Sequence, residues 1–282
     1  YFGGKFTTNS HTGYSCQIDP ATGELVRNPA NNQLICSNTS NANIWVEWIS
    51  ARLGVAITQA EVGFATTRIP CPAAGLGLAS SCSGYAQGGS RVTDPNGLGR
   101  ATGALTIPIV DQIASHNTRT VPGFKSGFDS GDIVFVFGGN NDVFVQFGAV
   151  GQGLPVDQAQ ANIVTAATEL AALVKNEIIA KGGKRVAVMT LPDSSATPFG
   201  ASFGPVGDPQ ADGSRALLSG LSAAFNAALL SGLDGSGAKI VDARALNAAV
   251  QASPSSFGLT NITTPACDAA IIGGVTGGLI TD

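Results

Sequence analysis

Asp132-Ile-Val-Phe-Val-Phe137 runs directly into Gly138-Gly139-Asn140-Asn141-Asp142. Five consecutive apolar residues, β-branched or aromatic, predict a strand of a parallel sheet that is covered on both faces. Open α/β sheets bind their ligands beyond the carboxyl ends of the strands, which is where this Gly/Asn turn lies. Glycine lets a reacting group approach the main chain, and an asparagine amide donates hydrogen bonds without carrying charge. The stretch predicts either an oxyanion-binding corner or an ordinary strand-to-loop turn.

Periodic segments elsewhere in the chain predict an α/β fold. Strands are expected at 184–191 and 239–241, and helices at 43–53, 105–114, 158–181 and 214–230. Residues 66–100 are expected to form a long loop. The two long helices each carry an apolar stripe, formed by Ile163, Ala167, Leu170, Val174 and Ile178 and by Leu218, Leu221, Phe225 and Leu229. This alternation predicts a parallel sheet with right-handed crossovers. No flexible linker interrupts the chain, so residues 1–282 are expected to form one domain.

The composition favours a globular domain with a large core and argues against a nucleic-acid-binding or membrane-spanning protein. Hydrophobic residues make up 44% of the 282 residues, which is enough for a large core, while charged residues make up only 12%. The net charge of −4 argues against a nucleic-acid partner. No apolar run reaches the ~18–20 residues of a transmembrane segment. Tyr-Phe-Gly-Gly-Lys at the amino terminus is not a signal peptide, so any targeting segment is expected to be absent or already removed.

Cysteine usage points to an oxidising compartment. Cys16 with Cys36 and Cys71 with Cys82 would close two polar loops, each bridge stabilising the fold by ~3 kcal/mol. Cys267 is left without a partner; we expect that partner beyond residue 282, and the alternative is a free reactive thiol. The alternative is five reduced cysteines in the core. No Cys-x-x-Cys pair is present, which argues against a zinc site. The disulfide interpretation predicts a secreted, periplasmic or cell-surface protein.

The sequence gives little support for a catalytic nucleophile or a general base. Gly200-Ala-Ser202-Phe-Gly204 satisfies G-x-S-x-G, but this motif needs a strand immediately before it and a helix immediately after it. An irregular stretch separates it from Leu191, so a chance match is expected. His11 and His116 lie away from any strand end with a nucleophile, and both are expected to be surface residues. These residues predict an oxyanion corner without a catalytic serine and histidine.

Several segments together resemble the SGNH, or GDSL, esterases and lipases, in particular their secreted bacterial members. Gly139-Asn140-Asn141-Asp142 resembles the G-x-N-D block of the family, and Gly84-Tyr-Ala-Gln-Gly88-Gly89-Ser90 resembles its N-[FY]-A-x-G-G-[AS] block, with Gly84 where asparagine is usual. Further similar segments are Gly4-Lys-Phe-Thr-Thr-Asn9 with Trp45-Val-Glu-Trp-Ile, Leu191-Pro192-Asp193 with Thr197-Pro198, Phe225-Asn226, and Phe257-Gly258-Leu-Thr-Asn261. The resemblance covers nearly all of the chain.

The resemblance implies a fold and a site. The fold would be a three-layer, flavodoxin-like parallel sheet flanked by helices, with long disulfide-closed loops. Asn141 would donate its side-chain amide, and Gly89 its main-chain N–H, to the oxyanion of a tetrahedral intermediate. The substrate would be a small-molecule or lipid acyl ester, and neither a metal nor an organic cofactor is implied.

Two family blocks are absent from the sequence. The Gly-Asp-Ser-Leu block with the nucleophile should precede Tyr1, and the Asp-x-x-His block should follow Asp282, so we expect a chain truncated at both ends and inactive alone. The missing amino-terminal strand would be central in the sheet, so its absence should leave a gap between neighbouring strands. The helix face of Trp45, Trp48, Ile49 and Leu53 is expected to pack onto the sheet. The alternative function is a non-catalytic secreted domain that binds a glycan or lipid through the Trp45/Trp48 face and the Gly-rich loops.

Overall fold

A computed structural model of the chain describes residues 2–3, 15–16, 36–37 and 45–263. Its strands are β1 (Phe2–Gly3), β2 (Ser15–Cys16), β3 (Cys36–Ser37), β4 (Glu61–Phe64), β5 (Thr67–Pro70), β6 (Ile133–Phe137), β7 (Arg185–Met189) and β8 (Lys239–Val241). Strands β1, β6, β7 and β8 form a parallel sheet in that order, whereas β2–β3 and β4–β5 are antiparallel pairs. The predicted α/β class with a parallel sheet is confirmed.

The helices connect and cover these strands. They are α1 (Trp45–Arg52), α2 (Ile109–Thr118), α3 (Asn140–Gly151), α4 (Val156–Leu173), α5 (Pro198–Ala201), α6 (Pro209–Leu233) and α7 (Ala243–Ala252). Helix α4 continues as a π-helix over Val174–Ile179. The crossover from β6 to β7 passes through α3 and α4, and the crossover from β7 to β8 passes through α5 and α6.

The sheet has no gap beside β6. Phe2 pairs with Val136 and Gly3 with Phe137, so β1 covers that edge of β6 over two residues. The expectation of an empty position between strands is therefore wrong there. Pairing at this edge satisfies main-chain groups that would otherwise be buried without a partner. The carboxyl ends of β1, β6 and β7 consequently lie side by side, which positions the loops that follow them.

The core lies between the sheet and the long helices. Every residue of the two predicted apolar stripes in α4, its π-helical extension and α6 is fully buried, which confirms both stripes. Burying a side chain of this size contributes about 1.5–3 kcal/mol. Of the described helices, α6 alone is long and apolar enough to cross a membrane. Its Leu218, Phe225 and Leu229 are fully buried inside the domain, as is typical of a core helix.

Three local predictions are corrected. Helix α1 buries Val46 and leaves Trp48 59% exposed, so the predicted inner face is wrong. Trp45 packs edge-on against Phe135. The helix expected at 105–114 begins only at Ile109, because Pro108 is its N-cap and has an extended conformation. The loop expected at 66–100 begins inside a β-hairpin, β4–β5, whose four-residue strands are too short to give a clear alternating pattern.

One predicted disulfide is present. Cys71 and Cys82 are bonded, with their Cα atoms 5.3 Å apart, and both side chains are buried. The main chains of Cys16 and Cys36 pair directly across β2 and β3, but their side chains lie outside the described residues, so that disulfide stays a prediction. Cys267 also lies outside the described residues.

Candidate oxyanion-binding site

The first corner of the site joins β6 to α3. Gly139 is the N-cap of α3 and has φ +108°, a left-handed conformation that favours glycine. A Cβ at this position would overlap the fully buried ring of Phe225 on α6. The helix therefore starts immediately after the strand, and the Gly/Asn turn of the sequence analysis is its first turn. Asn140, Asn141 and Asp142 are all buried there.

The second corner is the turn at Gly89. Gly89 has φ +80°, and a Cβ there would overlap the carbonyl oxygen of Leu98. The Leu98 N–H donates a hydrogen bond to the Gly89 carbonyl at 2.9 Å, which closes this turn. Glycine is therefore required by both the φ angle and the close approach of another main-chain segment. Among the described residues, none accepts a hydrogen bond from the Gly89 N–H.

The structure brings the two predicted site residues together. The Asn141 side-chain nitrogen Nδ2 donates a buried 2.7 Å hydrogen bond to the carbonyl oxygen of Ser90, 51 residues earlier in the chain. Since Ser90 follows Gly89 directly, the Asn141 amide and the Gly89 main chain share one corner. One N–H of the Asn141 amide is used in this contact, and the other remains available.

Asp142 adds a second link between the corners, which the sequence analysis missed. Its carboxylate accepts hydrogen bonds from Val92 N and Arg91 Nε, both at 3.1 Å. Arg91 also pairs with Asp94. Burial raises the pKa of Asp142 to about 6, although the Arg91 guanidinium acts in the opposite direction. The sequence offered one signal for this contact: each motif is followed by a charged residue, Arg91 after Gly89-Ser90 and Asp142 after Asn141, and the two charges are opposite.

Several buried polar atoms at these corners have no hydrogen-bond partner among the described residues. They are Asn140 Nδ2, Asn141 Oδ1 and Ser90 Oγ. The other amide atom of Asn140, Oδ1, accepts a hydrogen bond from Ser194 Oγ at 3.3 Å. Buried polar groups are nearly always paired in folded proteins, so unpaired ones at one place indicate a position for a ligand or water.

A cluster of polar side chains lies in and around the loop that follows β7, the loop that contacts Asn140 through Ser194. The Asp193 carboxylate accepts hydrogen bonds from Ser195 Oγ at 2.6 Å and from Arg244 Nη2 at 2.9 Å, and also binds Ser219. Burial opposes ionisation of Asp193, but these hydrogen bonds and the Arg244 charge outweigh it and lower its pKa. Asp193 therefore stays ionised, and it fixes the loop that carries Ser194.

A groove of about 620 Å³ opens beside this loop. Ser195 and Thr197 belong to its wall, and Thr197 is held by a hydrogen bond from its hydroxyl to the Ser194 carbonyl at 2.7 Å. Small and apolar residues make up most of the remaining lining: Ala196, Ala201, Gly204, Pro205 and Val206, with Arg215 at one side. Ser194, which precedes the lining residue Ser195, is hydrogen-bonded to Asn140 in the first turn of α3.

Among the described residues, the candidates Ser202 and His116 do not form a catalytic serine–histidine pair. Ser202 follows the short helix α5 and donates to the Phe199 carbonyl at 2.6 Å, without a preceding strand, so it does not form a nucleophile elbow. His116 is part of α2 and is half-buried against Tyr85 and Phe128, so the expectation of a surface residue is wrong. Its burial lowers its pKa to about 4.

His11 lies outside the described residues. Among the described hydrogen bonds, none joins a serine to a histidine. The arrangement can therefore stabilise negative charge on an oxygen, while the residues that would attack and transfer protons are not seen in this part of the chain.

Comparison with known proteins gives no family for this chain. No family model matches it, and no curated protein matches it either. Its function must consequently be argued from the geometry of the site.

Proposed function

We propose that this chain provides the oxyanion-binding part of a secreted serine ester hydrolase of the SGNH type, built on a flavodoxin-like sheet. The observation that carries the proposal is the hydrogen bond from the Asn141 amide to the carbonyl oxygen of Ser90, which places an uncharged amide donor against the residue that follows Gly89. Both groups lie at the carboxyl edge of a parallel sheet, where ligands of α/β proteins bind. The motif resemblance and the Cys71–Cys82 disulfide support the same proposal.

In the proposed reaction, a serine hydroxyl from a segment before Tyr1 attacks the carbonyl carbon of an ester. The π electrons of the C=O bond move to its oxygen, and a histidine from a segment after Asp282 takes the serine proton. The Gly89 N–H and the Asn141 amide hold the resulting oxyanion. The intermediate then expels the alkoxide, which takes the proton from the histidine, and water releases the acyl group from the serine. Each oxyanion donor is worth about 2.7–4 kcal/mol of transition-state stabilisation.

The corner is preorganised for this role. Gly89 is fixed by the Leu98 main chain, and the helix that carries Asn141 is fixed by Gly139 against Phe225. Asp142 joins the two segments through Val92 and Arg91. Donors that are held in place before reaction need no reorganisation when charge develops, which is the physical basis of oxyanion-hole catalysis.

The experiment compares Asn141→Ala with wild type in the natural full-length protein, with p-nitrophenyl butyrate as substrate. We expect kcat to fall by about 100-fold or more. Asn162→Ala is the matched control, because the Asn162 amide binds Gln146 outside the corner at 2.9 Å and its loss should leave kcat unchanged.

A wild-type protein that neither hydrolyses the ester nor reacts with a serine-directed phosphonate would overturn the hydrolase proposal and favour the glycan- or lipid-binding alternative. Esterase activity of the isolated chain 1–282 that disappeared in Ser202→Ala would also overturn it, since the nucleophile would then be Ser202.

A further inference from the structure

Asn140 stands out among the buried side chains of the site. Only 3% of its surface is exposed, and its amide nitrogen Nδ2 has no hydrogen-bond partner among the described residues. Asn141, the neighbouring residue, already uses one amide N–H to bind Ser90. The first turn of α3 therefore holds two asparagine amides, and the one with both N–H groups available is Asn140.

The orientation of the Asn140 amide is set by a neighbour. Ser194 Oγ donates to Asn140 Oδ1 at 3.3 Å, so the carbonyl arm of the amide faces the loop after β7 and the NH2 arm faces away from that hydroxyl. Ser194 is itself buried. A buried donor without an acceptor costs folding free energy, so the free NH2 group is not explained by stability. An acceptor that arrives with a ligand would satisfy it.

The surroundings specify the charge of that acceptor. Asn140 is the first residue of α3, and the first N–H groups of a helix have no acceptor within the helix. This end of the helix also carries the positive end of the helix dipole, which favours a negatively charged oxygen. Gly139, the N-cap, has no side chain that could occupy the position, and none caps the helix.

We propose that Asn140 is a further oxyanion donor of this site, and that its amide nitrogen contacts the same developing oxyanion as Gly89 and Asn141. The inference rests on the proposed hydrolase function. Asn141 then has two tasks, since its amide also fixes the Ser90 main chain, whereas the amide nitrogen of Asn140 serves the substrate alone.

Loss of either amide should lower stability, because each amide is hydrogen-bonded to a buried group of the protein. Asn140→Ala removes the donor that has no partner, but it also removes the acceptor of the buried Ser194 hydroxyl, so the midpoint of urea unfolding should fall moderately. Asn141→Ala leaves the buried Ser90 carbonyl unsatisfied, so its midpoint should fall. Asn140→Asp separates the two roles: it keeps the acceptor for Ser194, so a purely structural role would leave its kcat near that of wild type, whereas loss of an oxyanion donor would lower it.

The test measures kcat, KM and the unfolding midpoint of Asn140→Ala, Asn140→Asp, Asn141→Ala and the control Asn162→Ala in the natural full-length protein. With p-nitrophenyl butyrate, Asn140→Ala should lower kcat about 100-fold with little change in KM. Asn140→Asp keeps the acceptor for Ser194 but replaces the donor by a carboxylate, so its loss of kcat should be at least as large.

A kcat within threefold of wild type for Asn140→Ala or for Asn140→Asp would overturn the inference. Wild-type protein without turnover and without phosphonate labelling would instead overturn the proposed function.

Discussion

The carboxylate of Asp142 accepts a hydrogen bond from the main-chain nitrogen of Val92 at 3.1 Å, across 50 residues of sequence. Its second oxygen accepts from Arg91 Nε at the same distance. The Asp142 side chain is 3% exposed and that of Arg91 is 12% exposed, so water competes little with either contact. Together with the Asn141–Ser90 hydrogen bond, this link fixes the Gly89 turn against the first turn of α3.

Loss of the Asp142 carboxylate should destabilise the fold. Asp142→Ala leaves the buried Val92 N–H without an acceptor and removes one of the two acidic partners of Arg91. We expect the free energy of unfolding at pH 7 to fall by about 2 kcal/mol. Asp94→Ala is the control, because Asp94 is 39% exposed and its loss should cost less than about 1 kcal/mol. If urea denaturation gave the same loss of unfolding free energy for both variants, the buried contacts of Asp142 would stabilise the fold no more than an exposed ion pair does.

Glycine at position 89 should be essential for the shape of the corner. Gly89→Ala combines a left-handed φ with an overlap of the new Cβ and the Leu98 carbonyl oxygen. Gly77→Ala is a matched control, since Gly77 has a similar φ of +75° but open space around a Cβ. The control should cost about 1 kcal/mol, and Gly89→Ala clearly more. Thermal or urea unfolding measures both, and indistinguishable values would contradict the close approach seen at Gly89.

His116 should make the protein sensitive to acid. Burial lowers its folded pKa from 6.5 to about 4, so the folded state favours the neutral ring. This contribution to stability is fully present above pH 6.5 and is lost as the pH falls towards 4. Its size is about 3 kcal/mol, from about 1.4 kcal/mol for each pKa unit.

The comparison is urea unfolding of wild type and His116→Gln between pH 4 and pH 7. Gln keeps a hydrogen-bonding side chain opposite the Gly127 carbonyl but does not titrate. The stability of wild type relative to the variant should fall by about 3 kcal/mol on acidification. A constant difference across this range would show that the ring titrates equally in the folded and unfolded states.

The Cys71–Cys82 disulfide should stabilise the loop in front of the Gly89 turn. It closes a loop of sequence separation 11, for which loop-closure entropy gives about 3 kcal/mol. The double variant Cys71→Ala/Cys82→Ala should lose about this amount in urea unfolding under oxidising conditions. Under strong reductant, wild type and the double variant should approach each other. A double variant as stable as oxidised wild type would contradict the prediction.

Sequence patterns predicted the parts of the fold that depend on local periodicity. The apolar run of β6 and the stripes of α4 and α6 were clear because residues two or three to four apart share one environment in a strand or helix. The prediction of the buried face of α1 was wrong. Trp45, Trp48 and Ile49 form a regular apolar stripe, but the surrounding chain buries Val46 instead. Burial of a short helix is decided by tertiary contacts that its own sequence does not contain.

At the site, too, local motifs could be predicted from the sequence, whereas contacts between distant segments could not. The sequence placed Gly89 and Asn141 at two glycine-rich turns, and the structure brings them to one corner. It did not reveal that Asn140 begins a helix, because the two glycines directly before it are typical of a turn. The contacts of Asp142 with Arg91 and Val92 were also hidden, since only the packing of the loop against α3 brings groups 50 residues apart into contact.

The most direct test of the account is a crystal structure of the natural full-length protein after reaction with a p-nitrophenyl phosphonate, whose phosphoryl oxygen occupies the place of the oxyanion. The account predicts this oxygen about 2.7–3.1 Å from the Gly89 nitrogen and the Asn141 amide, with Asn140 Nδ2 as a further donor. A phosphonate bound to Ser202, or a phosphoryl oxygen that contacts neither Gly89 nor Asn141, would contradict it.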